Sequence, residues 1–213
     1  MPSPFDLPLD HLWQPAPAPA GWLMIVLHGR GDSAQGFTWL QRALGLPGLD
    51  LLLLDAPDPY WSGQSWYDLP PHQLPGIQRS RALLDQVLLE TARQGHPPER
   101  TLLLGFSQGC LMTLEFGARH AQRLAGCIGI SGYAYDATAI VAEMSPAARA
   151  GDWLVTHGLH DELLPIPRTR ADVATLRQGG LPVDYREYDK GHEIEPSQEL
   201  PELRRWVRAR IAD

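Results

Sequence analysis

Short apolar runs without polar alternation recur along the chain, at Trp22–Leu27, Leu51–Leu54, Thr101–Phe106, Gly126–Ile130 and Trp153–Thr156. A strand with one face in water alternates in polarity, whereas a strand covered on both faces does not, so these runs predict buried strands. Val183–Tyr188 mixes apolar and charged positions and reads as a sixth strand at an edge. Between the runs the apolar spacing lengthens to three and four. Leu84, Val87, Leu88 and Thr91 form one face of a helix over Ile77–Gln94, and Leu203, Trp206, Val207 and Ile211 one face of a helix over 199–212. Weaker patterns predict helices over 35–44, 108–120 and 168–178. Strands alternating with helices imply an α/β protein, with a mostly parallel central sheet and helices on both faces.

Residues 15–20 read Pro-Ala-Pro-Ala-Pro-Ala, an extended strap that delivers the first buried strand. Residues 1–20 therefore read as an N-terminal extension and 21–213 as one α/β domain. The Pro-, Gly- and aromatic-rich stretch 56–76 is too long for a tight connection. Two readings stay open for it: a pocket wall, or a surface excursion whose Trp61, Trp66 and Tyr67 only cover the core.

Composition changes this picture little. At 44% apolar and 20% charged the chain is ordinary for a folded protein. A formal charge of -7, with Lys190 as the sole lysine, argues against a nucleic-acid partner. Cys110 and Cys127 offer neither a metal-ligand spacing nor a disulfide framework, so a reducing, cytoplasmic setting is expected. Met1–Gln14 has neither a basic start nor a continuous apolar stretch, and Trp22–Leu27 falls far short of a membrane span.

The candidate chemistry begins at Gly105-Phe106-Ser107-Gln108-Gly109, which follows a buried run and leads into a helical segment. A G-x-S-x-G string needs this strand, sharp turn and helix to expose its serine, because the flanking backbones approach too closely for side chains at the glycine positions. A serine hydroxyl is a poor nucleophile at neutral pH. It requires a base within hydrogen-bond reach and a carboxylate to orient that base. In chain order after Ser107, Asp161 follows the run at 153–156 and His192 follows the run at 183–188, both at carboxyl ends of predicted strands, where the sites of parallel sheets gather. Asp136 and Asp152 are alternative acids that fit this placement less well. Two backbone N–H donors should face the oxyanion. One is that of Gln108, after the nucleophile, and the other that of Arg30 in His28-Gly29-Arg30-Gly31-Asp32, after the first central strand.

Four motifs in order, Leu27-His28-Gly29-x-Gly31-Asp32, the elbow at 105–109, His157-Gly158-x-x-Asp161-x-x-Leu164-Pro165 and Gly191-His192, resemble the phospholipase/carboxylesterase family of α/β-hydrolases, which includes bacterial carboxylesterases and acyl-protein thioesterases. The likeness spans about residues 21–212. It implies an α/β-hydrolase fold without metal or cofactor, often homodimeric, acting on small-molecule acyl esters or thioesters of short to medium chain through an acyl-enzyme. It implies the same five residues in the same roles, and an acyl pocket bordered by Leu164 and by the loop carrying Trp66. Arg30 stands where the family usually has leucine, which changes the polarity of the pocket mouth and argues against long-chain lipid substrates. Cys110 and Leu164 are milder departures. The rival readings are a binding protein that keeps the fold without catalysis, and a peptidase or lactonase with the same triad.

Overall fold

In the computed structural model, which describes residues 3–18 and 21–211, the apolar runs become the centre of a seven-stranded sheet. The strands are β1 (His11–Gln14), β2 (Trp22–Leu27), β3 (Leu49–Leu54), β6 (Thr101–Phe106), β7 (Gly126–Ile130), β8 (Trp153–Gly158) and β9 (Val183–Tyr188), in the order β1-β3-β2-β6-β7-β8-β9. All neighbours are parallel except β1, which runs antiparallel to β3. Side chains of a strand point alternately to its two faces. Leu23, Ile25 and Leu27 accordingly enter one core and Met24 and Val26 the other, and Leu52 and Leu54 part from Leu51 and Leu53 in the same way.

Helices close both faces: α1 (Leu40–Leu44), α2 (Gln73–Arg93), α3 (Gln108–Gly117), α4 (Ala137–Glu143), α5 (Pro146–Arg149), α6 (Ile166–Gln178) and α7 (Glu199–Arg208). The predicted faces are the buried ones. Leu84, Val87, Leu88 and Thr91 of α2 are sealed in one core, and Leu203, Trp206 and Val207 of α7 in the other. None of the helices among the described residues is long and apolar enough to cross a membrane.

Four departures from the sequence reading have local causes. The stretch taken as an extension ahead of the domain supplies β1, a strand of half-buried residues that shields the edge of β3, with His11 opposite Leu54. Pro19 and Ala20 of the proposed strap lie outside the described residues. The helix expected over 35–44 splits into a 3-10 turn at Ala34–Phe37 and the short α1, which ends at Gly45 with φ +57°. The pair α4 and α5 was not expected, although Asp136 accepts from the Ala139 amide and Ser145 from the Ala148 amide, with Pro146 at the first helical position. Finally, 56–76 holds a hairpin, β4 (Asp58–Tyr60) with β5 (Gly63–Ser65), and the first turn of α2.

Candidate active site

The parallel strands β2, β6, β8 and β9 deliver His28, Ser107, the 159–165 turn and the 189–195 loop to one end of the sheet, the carboxyl end, because a shared strand direction puts every βα connection there. Leu27 pairs with Gly105, so β2 and β6 end level with each other. The loop after β2 therefore runs against the elbow: a Cβ at Gly29 would stand 3.2 Å from that of Ser107.

Ser107 has φ +55° and ψ -112°, a backbone state that costs a residue with a side chain about 1–3 kcal/mol. Its amide donates to Ile130 O at 2.8 Å, and its carbonyl accepts from the Cys110 amide at 3.0 Å, so β7 and α3 hold the turn from both sides. The glycines are steric necessities here. A Cβ at Gly105 would collide with the Gly109 carbonyl, and one at Gly109 with the Leu27 carbonyl.

Ser107 Oγ lies 2.9 Å from His192 Nε2, and His192 Nδ1 lies 2.7 Å from Asp161 Oδ2. An ionised carboxylate can only accept, so the ring proton sits on Nδ1 and Nε2 is left free to take the serine proton. Asp161 is fixed by its own turn: Oδ1 accepts from the amides of Leu163 at 3.0 Å and Leu164 at 2.8 Å, leaving Oδ2 for the imidazole. This local fold accounts for the Asp-x-x-Leu-Pro pattern, since Pro165 then opens α6. His157 packs behind. Its Nε2 donates to Leu164 O at 2.8 Å and lies 3.4 Å from Asp161 Oδ2, and burial pushes its pKa down, so it serves as a neutral strut.

Neither the Arg30 nor the Gln108 amide donates to a backbone carbonyl in the turns and loops among the described residues, which leaves both available beside Ser107. Gly31, with φ +78°, turns the Arg30 loop, and the hairpin clamps it: Gly31 N donates to Gln64 O and Gln64 N to Asp32 O, each at 2.8 Å. His28 completes the clamp. Its Nδ1 donates to Gly29 O at 2.6 Å and its Nε2 accepts from the Ala56 amide at 3.1 Å, with burial lowering its pKa and keeping the ring neutral.

Ser107, His192, Arg30, Gln108 and Leu164 all border one cavity of about 510 Å³. Leu69, Tyr133, Leu163 and Phe106 make its wall largely apolar. Tyr60, Tyr67, Leu69 and Pro70 also line it, so the 56–76 stretch is a wall of the cavity. Trp66 is the correction. It is wholly buried and borders no part of the cavity, its indole Nε1 donating to His28 O at 2.9 Å, and the adjacent Tyr67 takes the lining position. The reason is the Gln108 side chain. Its Oε1 accepts from the Trp66 amide at 2.9 Å and from Ser65 Oγ at 3.2 Å, while its Nε2 donates to Tyr67 O at 2.8 Å, which turns Trp66 inward.

Two buried features lie close to these residues. Cys110, directly after the elbow glycine, is fully enclosed and its thiol is pushed up to about 12 by burial, so it is inert packing beneath the site. Lys190 and Glu199, both buried, pair at 2.6 Å and tie the loop carrying His192 to the start of α7. A lone lysine in an arginine-rich chain, two residues before a candidate base, was the available signal. A second cavity of about 500 Å³, bordered by Arg123, Asp152 and Arg210, opens at the amino end of β7 and β8 and contains no nucleophile.

The chain is similar to known proteins in sequence and in fold. A family model described as phospholipase/carboxylesterase matches residues 14–211. Acyl-protein thioesterase 1 of Schizosaccharomyces pombe is 30% identical over 155 residues, 67% of this chain and 69% of that one. The Yarrowia lipolytica protein of the same name is 25% identical over 223 residues, covering 93% and 96% of the two chains. Among solved structures, esterase PE8 superposes with a TM-score of 0.84 at 25% identity, over 95% of this chain and 99% of that one. With the match running from the edge strand β1 to the end of α7, and the elbow seated on the carboxyl edge of a parallel sheet, the chain belongs to the phospholipase/carboxylesterase family of α/β-hydrolases.

Proposed function

We propose that this protein hydrolyses carboxylic esters or thioesters through a covalent acyl-enzyme on Ser107. The observation that carries the reading is the hydrogen-bonded chain from Ser107 through His192 to Asp161 at the floor of a largely apolar cavity. Ser107 Oγ attacks the acyl carbonyl as its proton passes to His192 Nε2. The negative oxygen of the tetrahedral intermediate is met by the amides of Arg30 and Gln108, the second at the positive end of α3. Collapse expels the alcohol or thiol with the proton from His192. Water then attacks the acyl-enzyme, His192 takes one of its protons, and the acid leaves as Ser107 is regenerated. Asp161 holds the imidazole in the tautomer this requires and stabilises the imidazolium that forms.

The acyl chain lies against Leu69, Leu163, Leu164 and Tyr133, which suits short to medium lengths. Cys110 and Cys127 are free and buried, which supports a reducing, cytoplasmic setting. The test is a hydrolysis panel of matched acyl esters and thioesters of increasing chain length, run on wild type and Ser107→Ala. The expected result is turnover that rises to an optimum at intermediate length and falls by roughly 10⁴- to 10⁶-fold in the variant. A folded wild type that turns over none of the panel, or a Ser107→Ala protein that keeps the rate, overturns the reading.

A further inference from the structure

The Arg30 side chain is a cation without a counter-ion on the wall of the Ser107 cavity. No carboxylate stands within 4.0 Å of its guanidinium among the described residues, although most arginines of the carboxyl half are paired. Its engagements are slight. Nη2 donates to Tyr67 O across a long 3.4 Å, Cζ stands 5.3 Å from the centre of the Tyr60 ring, and the buried Nε has no acceptor at all. A guanidinium carries five N–H donors in a fixed fork that matches a carboxylate or phosphate. Here Nε and Nη1 have no acceptor among the described residues, and Arg30 lines the cavity.

The surroundings sharpen the choice of ligand. Arg30 and Asp32 are the permanently charged side chains on the cavity wall, and Asp32 is turned away into its own loop, where Oδ1 accepts from the Ser33 amide at 2.8 Å and the carboxylate packs against Gly36. Arg168, the other arginine near this wall, is engaged elsewhere: it stacks 3.7 Å from the Tyr133 ring centre and stands 3.9 Å from Asp172. Tyr60 and Tyr67 flank Arg30, which is half-buried, and this partial shielding strengthens a charge-assisted bond relative to one made in open water.

We propose that the Arg30 side chain is an anion subsite, selecting ester or thioester substrates that carry a carboxylate or phosphate group on the acyl chain or on the leaving group, within reach of the scissile carbonyl at Ser107. The inference rests on the hydrolase reading above. It accounts for an arginine where the backbone amide alone would serve the oxyanion.

The experiment compares wild type, Arg30→Leu and Arg30→Lys on two matched ester pairs: phenyl butyrate against the monophenyl ester of succinate for the acyl side, and phenyl acetate against carboxyphenyl acetate for the leaving side. The readout is the ratio of anionic to neutral kcat/KM, in which any general effect on catalysis cancels. The ratio is expected to fall by about 10- to 100-fold in Arg30→Leu on one of the pairs, with Arg30→Lys between, and the wild-type preference to weaken in high salt. The pair that responds identifies which part of the substrate carries the charge. In parallel, Ser107→Ala and Ser107→Ala/Arg30→Leu are titrated calorimetrically with the succinate and butyrate esters. This binding preference decides the subsite even if wild type proves inactive on every ester. Equal ratios in wild type and Arg30→Leu, with equal binding in the Ser107→Ala pair, overturn the proposal.

Discussion

Replacing Lys190 with methionine isolates the anchor of the loop that carries His192. Lys190 Nζ has all three protons placed, two on Glu199 at 2.7 and 2.6 Å and one on Glu193 O at 2.7 Å. Glu199 also accepts from Thr156 Oγ1 and, at 2.8 Å, from the Glu195 amide. Burial lowers the Lys190 pKa while Glu199 pulls it back up, as expected of a cation enclosed against its partner. Removing the cation strands a carboxylate that is only 1% exposed, and breaking one side of a buried pair costs about 3–5 kcal/mol. Lys190→Met should therefore lose about 3–5 kcal/mol, roughly 10 °C in Tm. Urea unfolding measures the loss, and Lys190→Met/Glu199→Leu should recover most of it. A cost below about 1 kcal/mol, or a double variant no better than the single, would refute this account of the pair.

Gln108→Ala keeps the backbone amide of the elbow but removes the bonds to the Trp66 amide, Ser65 and Tyr67 O. Chemical denaturation should show a loss of about 1–3 kcal/mol, with a raised KM as the Tyr67 wall loosens. Asp161→Asn keeps the turn but can leave His192 in the wrong tautomer, so kcat should fall by roughly 10⁴-fold, with a circular-dichroism spectrum unchanged from wild type. His157 is buried neutral with a lowered pKa, so its contribution is intact above the unfolded value of about 6.5 and lost as pH falls below it, where the unfolded chain takes the proton first. The stability advantage of wild type over His157→Gln should therefore shrink by up to about 0.8 kcal/mol between about pH 7.5 and pH 6, read from urea midpoints.

What the sequence discloses is what local physics decides. Apolar runs such as Leu51–Leu54 are strands in any sheet that covers both faces, and Gly105 and Gly109 are required wherever a strand turns this sharply into a helix. The Asp161 turn and the loop ending in His192 follow from where parallel strands must end. The remainder is decided by contacts distant in sequence. Trp66 reads as a pocket aromatic until Gln108, 42 residues on, fixes its backbone and turns the ring inward. His11–Gln14 carries no run of apolar residues and becomes a strand because β3 offers an open edge. For Arg30 the sequence shows a change in the polarity of the pocket mouth, but that its guanidinium has no counter-ion and only one long hydrogen bond there is visible only in the fold. By contrast α4 and α5 had signals in plain view, in Asp136 and in Ser145-Pro146.

The central claim is that Ser107 is a nucleophile activated by His192. Fluorophosphonate labelling of the whole protein, followed by mass spectrometric mapping, tests it most directly because it needs no knowledge of the substrate. Wild type should gain one covalent adduct on Ser107, Ser107→Ala none, and His192→Ala should label far more slowly. A folded wild type that takes up no label, or an adduct on any other residue, would contradict the claim and favour a protein that kept this fold for binding alone.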